Sequence, residues 1–96
     1  MTCCSEGAAI YYRGSEEYVT ILVESDVVLD TQPVEFSIKP GVWINATWIS
    51  SPATTRRAHA LVDFSDYYKG KYTVKVRVTD SPEIPIFPVG VLEVRG

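Results

Sequence analysis

The sequence predicts an all-β fold, an antiparallel sandwich of about seven or eight short strands. Apolar and polar residues alternate along several segments, which is the period of a half-buried strand. Residues that favour turns recur at roughly ten-residue spacing between these segments. No segment shows the three-and-four spacing of an amphipathic helix, and β-branched residues dominate the composition.

The predicted strands of the first half of the chain each have a core face and a solvent face. Residues 17–24 are the clearest case, because Val19, Ile21 and Val23 share one face. Leu22 is an anomaly, since it is apolar but lies on the outer face. Turn chemistry at residues 25–26 ends this strand. The other strands predicted in this half are residues 10–12, 34–38 and 42–49.

The two tryptophans lie on opposite faces of the strand predicted over residues 42–49. Because successive side chains of a strand alternate, Trp43 and Trp48 cannot face the same core without a bulge. We expect Trp48 to be buried together with Ala46, and Trp43 to lie near the preceding turn, partly covered.

The second half of the chain begins with a predicted polar loop over residues 50–57. Its most regular strand follows Gly70, because apolar residues fall at every second position from Tyr72 to Val78. The segment 81–88 contains three prolines, which lack a backbone donor and cannot continue a ladder. The remaining predicted strands are residues 58–64 and 89–94.

The domain organisation is one sandwich over residues 10–96, preceded by an N-terminal arm. Residues 1–9 are small and polar without a period, which predicts a flexible arm. Cys3 and Cys4 are adjacent, and a disulfide between them would close a strained ring. We expect two exposed thiols, with an intermolecular bridge or a metal site as the alternative. No stretch approaches the ~20 apolar residues of a membrane span.

Charge and residue types argue against nucleic-acid binding and catalysis. The net charge is −3, and no basic cluster is longer than Arg56-Arg57, whereas a nucleic-acid site needs a basic face. His59 is the single histidine and has no motif beside it that would build a triad or a zinc site. The aspartates at turns are better explained by local capping. We therefore expect no enzyme, no cofactor and no metal.

Several residues are candidates for contact with another protein. The tyrosines exceed what a small core can seal, although Tyr68 or Tyr72 could instead bond its hydroxyl to the backbone at a strand corner. Paired arginines on an exposed loop would offer donors to a carboxylate of another chain, the alternative being a solvated loop. The proline-rich segment is stiff and would lose little entropy on contact. The predicted interface residues are Tyr11, Tyr12, Tyr18, Trp43, Arg56, Arg57, Tyr67, Pro82 and Pro85.

The run from Gly70 to Asp80, with its Tyr-x-Val-x-Val core and terminal aspartate, resembles the next-to-last strand of immunoglobulin-like (Ig-like) modules. A narrower likeness extends from Tyr18 onward and includes residues 33–38, Trp48 and the segment 76–85. In this order of elements the chain resembles small Ig-like virion proteins of tailed phages that infect actinobacteria. The Cys3-Cys4 arm departs from that pattern.

The resemblance implies a non-enzymatic protein that decorates the capsid, or alternatively a component of the neck or tail. Its partners would be the major capsid protein, other virion proteins or further copies of itself, and it would be assembled in the host bacterial cytoplasm. Folding without disulfides suits that reducing compartment. A third alternative is a cell-surface carbohydrate or adhesin-type binding module that uses Trp43 as a stacking platform. The start at Met1 and the end at Gly96 favour a complete small gene product over an excised module.

Overall fold

The computed structural model describes residues 3–5, 9–79, 84 and 86–96, with only the backbone described for residues 3–5 and 9. Its regular elements are strands, apart from a single 3-10 turn over Phe64–Asp66. The all-β prediction is therefore confirmed for the described residues. The strands are β1 (Cys3–Ser5), β2 (Ala9–Tyr12), β3 (Glu16–Leu29), β4 (Val34–Ser37), β5 (Ile44–Trp48), β6 (Ala53–Asp63), β7 (Gly70–Val78) and β8 (Ile86–Arg95).

The strands pair in the order β1-β3-β6-β5-β4-β7-β8-β2. β5 lies in the middle of this order and links its two halves. Its residues 44–46 pair with β4, whereas its residues 47–48 pair with β6. The sheet therefore folds over at β5 into two facing halves. The first half contains β1, β3 and β6, and the second contains β4, β7, β8 and β2. This order corresponds to the two sheets of the immunoglobulin fold.

One pair departs from the antiparallel arrangement that the sequence predicts. β2 runs parallel to β8, with Ala9 opposite Leu92 and Tyr12 opposite Arg95. The N-terminal part of the chain thus contributes β1 to the first half-sheet and β2 to the second. A parallel pair is possible here because β2 and β8 are far apart in sequence and need no hairpin.

The core lies between the two half-sheets and is built by the predicted alternation. Val19, Ile21 and Val23 of β3 are fully buried, as are Val74 and Val76 of β7. The rest of the fully buried large side chains are Leu29, Phe36, Phe64, Val78, Leu92 and Val94. Trp48 and Ala46 pack against this core but are half-buried rather than buried as expected. Trp43 is also half-buried, but it lies outside the core.

β3 and β6 are both longer than predicted. β3 continues through the expected turn at residues 25–26, with an irregularity in register between Glu24 and Leu29. β6 begins at Ala53, opposite Leu29, so much of the predicted loop 50–57 is strand. The polar residues there form a ladder because the extended β3 offers a partner, which local composition does not reveal.

β8 begins earlier than predicted and accommodates a proline. Pro88 lies opposite Lys75 and Gly90 lies opposite Val74, so Val89 is an extra residue between them. A bulge is one of the positions where a proline is tolerated within a sheet.

The predicted flexible arm of residues 1–9 contains two stretches that the structure assigns to strands. Residues 3–5 form β1 on β3, and Ala9 begins β2 on β8, because each finds an unpaired strand edge. The remaining residues of the arm and the thiols of Cys3 and Cys4 lie outside the described structure. Among the described residues, no helix has the length and apolar character needed to cross a membrane.

The connection from β6 to β7 is fixed by side chains bonded to the backbone. The Asp63 carboxylate accepts a hydrogen bond of 2.9 Å from the Ser65 amide at the start of the 3-10 turn. The Tyr72 hydroxyl donates to the Tyr68 carbonyl over 2.7 Å. Of the two tyrosines considered for a bond from the hydroxyl to the backbone at a strand corner, Tyr72 forms it. Such a bond is a feature of Ig-like sandwiches.

Candidate functional site

The outer surface of the first half-sheet carries a patch of exposed apolar side chains. Tyr18 lies opposite Leu61 in the pairing of β3 with β6, and the two side chains are 56% and 50% exposed. The Tyr18 ring stacks on the imidazole of His59, with ring centres 4.2 Å apart. Leu22 is half-buried on the same face, and Ile49 is exposed beside Arg57. We call four of these side chains, together with the half-buried imidazole of His59, the apolar patch: Tyr18, Leu22, Ile49, Leu61 and His59.

The apolar patch suits contact with another protein. Single apolar side chains on a surface are ordinary, whereas contiguous apolar patches are typical of interaction surfaces. Aromatic residues are also enriched where proteins meet. Tyr18 was predicted as an interface residue, and Leu22 stood out as an apolar residue on the polar side of a strand. Leu61 was not predicted, although it stands out in the same way.

The second half-sheet carries a cleft of about 550 Å³ on its outer side. Its walls are the turn from β4 to β5 and the exposed side of β7. Gly41 allows the turn because its φ of +78° is rarely adopted by other residues. The Val42 amide closes the turn by donating to the Lys39 carbonyl over 3.0 Å. The polar and aromatic lining comes from Ser37, Trp43, Lys71, Tyr72, Thr73 and Lys75. We call this the Trp43 cleft.

An ion pair next to the Trp43 cleft fixes the indole. Arg77 donates two hydrogen bonds of 3.0 Å to the carboxylate of Glu35, which lies directly opposite on β4. The Arg77 guanidinium also lies 4.2 Å from the centre of the Trp43 ring. The hydrogen bond from Arg77 lowers the pKa of Glu35, and the same contact raises the pKa of Arg77. One face of the indole is therefore covered by a guanidinium that is itself held in place.

The sequence predicts Arg56 on an exposed loop, and this prediction is wrong. Arg56 is buried in β6. Its guanidinium donates to the carbonyls of Ser50, Leu29 and Asp30 over 2.7, 3.1 and 2.6 Å. It also lies 5.2 Å from the centre of the Trp48 ring. These contacts join the β3–β4 connection to the β5–β6 connection, so three of the five N–H donors of Arg56 are used within the fold.

The other predicted interface residues do not form one surface. Tyr67 is buried, and its ring packs against Phe64 and Tyr72. Burial also raises the pKa of the Tyr67 hydroxyl. Tyr11 is half-buried and stacks on Phe64 at 4.7 Å. Tyr12 and Arg57 are exposed, on different half-sheets. Pro82 and Pro85 lie outside the described residues.

Two groups that were considered for chemistry, His59 and Asp63, have local contacts in the structure. Among the described residues, no group of three or more His, Cys, Asp and Glu side chains could hold a metal ion. The imidazole of His59 is stacked on Tyr18. The Asp63 carboxylate has a lowered pKa because it accepts from Ser65 at a turn, which is a capping role.

No protein-family model matches the chain, and a search of curated proteins found no match.

Proposed function

We propose that this chain is a non-enzymatic structural protein of a phage virion, which decorates the capsid by packing the apolar patch against shell subunits or neighbouring copies. The observation that carries the proposal is the apolar patch itself, with Tyr18 and Leu61 side by side and each about half exposed. The likeness of the segment from Tyr18 onward to small Ig-like virion proteins supplies the context. The protein would be assembled in the cytoplasm of the host bacterium.

The energetics of such a contact suit a small module. Burying the exposed half of one leucine side chain contributes on the order of 1 kcal/mol, so a patch of this size binds weakly on its own. On a shell many copies bind next to one another, and weak contacts then become strong collectively. A rigid strand surface also loses little conformational entropy when it is covered.

The direct test is co-sedimentation of purified protein with empty shells made from the major capsid protein of the same genome. The test variant is Leu61→Glu, which places a charge in the apolar patch. The matched control is Val91→Glu, because Val91 is 53% exposed and lies on the other half-sheet. We expect binding to be lost with Leu61→Glu and kept with Val91→Glu. Absence of wild-type binding, or equal loss in both variants, would refute the proposal.

The neck or tail is the alternative position in the virion, and the mass in solution distinguishes it. A protein that decorates the capsid is expected as a monomer or trimer, whereas a component of the tail axis is expected as a stable ring. Light scattering on the isolated chain measures this mass. A stable hexamer would move the protein to the neck or tail and would contradict capsid decoration.

A further inference from the structure

We infer that the Trp43 cleft binds a glycan whose sugar rings carry carboxylate groups. This inference is independent of the proposed function, because the cleft lies on the other half-sheet and its occupant is not a protein. The cleft has the size of a small-ligand site, since such sites have volumes of roughly 300–1,000 Å³. Its chemistry combines an aromatic ring, two lysines and hydroxyl groups.

The lysines of the cleft are available for an anionic ligand. Lys71 and Lys75 are exposed and on the same side of β7, because residues two and four positions apart share a face. Glu93 lies directly opposite Lys71, but its carboxylate accepts a hydrogen bond from Arg95 instead. Within the described part of the chain, neither lysine forms an ion pair.

A second acidic group near the cleft, the carboxylate of Glu35, also has a partner within the fold. Glu35 is held by both hydrogen bonds from Arg77, so the charge of Arg77 is neutralised while those of Lys71 and Lys75 are not. The cleft therefore carries a local positive charge in a chain whose net charge is −3. A ligand with carboxylates complements this charge.

The indole and the hydroxyl groups favour a sugar ring over a simple anion. Arg77 covers one face of Trp43, and part of the indole lines the cleft, whereas Arg77 does not. The apolar C–H face of a pyranose packs on such an aromatic surface. Between the two lysines, the exposed Thr73 offers a hydroxyl that can both donate and accept, as sugar hydroxyls require.

The test is an NMR titration of the full chain with trigalacturonate at low ionic strength. The protein has two tryptophans, so the Trp48 indole N–H, bonded to the Gln32 carbonyl, is an internal control. We expect the Trp43 indole resonance to move on titration and the Trp48 resonance to stay. Galactotriose, the neutral counterpart, is expected to bind at least about 10-fold more weakly, because the charge contacts are missing.

Two lysine substitutions test the charge contacts separately. Lys71→Gln and Lys75→Gln are each expected to weaken binding of trigalacturonate by about 3-fold to 10-fold. Lys69→Gln is the matched control, since Lys69 is exposed nearby but does not line the cleft. Circular dichroism checks that all three variants are folded.

Four results would overturn the inference. The first is no shift of Trp43 with trigalacturonate. The second is equal binding of galactotriose, which would remove the role of charge. The third is equal binding of triglutamate with the same Trp43 shift, which would make the cleft a site for acidic peptides. Equal weakening by Lys69→Gln would likewise show that the lysines act only through net charge.

Discussion

Two arginine–tryptophan pairs in this small domain have opposite roles. Arg56 lies near Trp48, and its guanidinium is buried among backbone carbonyls of two connections. Arg77 lies near Trp43, on the outer side of the second half-sheet, and its guanidinium is bonded to the carboxylate of Glu35. The tryptophans differ accordingly, because Trp48 packs on the core and Trp43 borders a cleft.

The two arginine–tryptophan pairs differ in role because their guanidinium groups have different acceptors. Carbonyls at the ends of connections need a donor when they are buried, so Arg56 supports the fold. A carboxylate on a neighbouring strand needs no such help, and the Glu35–Arg77 pair instead fixes the orientation of a half-buried ring outside the core. Three measurements test this contrast.

The largest effect is expected for Arg56→Met, which keeps an apolar stem but removes the donors. The carbonyls of Ser50, Leu29 and Asp30 would lose their partner, which should lower the free energy of unfolding by about 2–4 kcal/mol. Urea denaturation measures the change. The adjacent Arg57→Met is the control and should change stability by less than about 0.5 kcal/mol, because Arg57 is exposed. Equal losses in both variants would contradict a structural role specific to Arg56.

A smaller difference is expected between the two tryptophans. Trp48→Phe removes the hydrogen bond of 2.8 Å from the indole to the Gln32 carbonyl and should cost about 1 kcal/mol. Trp43→Phe keeps an aromatic ring at the surface and should cost less than about 0.5 kcal/mol. The same urea experiment compares them. If Trp43→Phe proves the more damaging substitution, then Trp43 belongs to the fold rather than to a site.

The smallest effect is a change in the pH dependence of stability. Because Arg77 lowers the pKa of Glu35 in the folded state, the contribution of this pair is fully present above the ordinary value of 4.5. It is lost as the pH falls through the lowered folded-state value. In Arg77→Met the loss of stability on acidification should therefore be shallower than in the wild type.

Urea midpoints measured from about pH 7 down to about pH 3 test this expectation. The lowered pKa of Asp63 acts in the same direction in both proteins and cancels in the comparison. Identical acid profiles for the wild type and Arg77→Met would show that the ion pair contributes nothing in solution.

Features that depend on neighbouring residues alone could be predicted from the sequence. Alternation identified the buried faces at Val19, Ile21 and Val23 and again along β7, because side-chain parity is a local property. The same argument separated Trp43 from Trp48. The hydrogen bond of the Tyr72 hydroxyl could also be predicted, since its acceptor is only four residues away.

Features that depend on strand pairing were beyond local patterns. The polar residues near Arg56 are typical of a loop, yet they form strand because β3 extends far enough to pair with them. The contact of Arg77 with Glu35 and Trp43 joins three segments whose register only the folded sheet defines. The place of Lys71 and Lys75 beside an aromatic ring also depends on this fold and was not predicted.

The parallel pair of β2 with β8 has a consequence for how the chain acquires its structure. Since β2 is synthesised before β8, the edge of β2 that pairs with β8 has no partner until the strands between them have been made. Contacts between such distant segments slow folding, because a large loop must close before they stabilise anything. The second half-sheet is therefore expected to be completed last, and an incomplete chain exposes a strand edge that can pair with other chains.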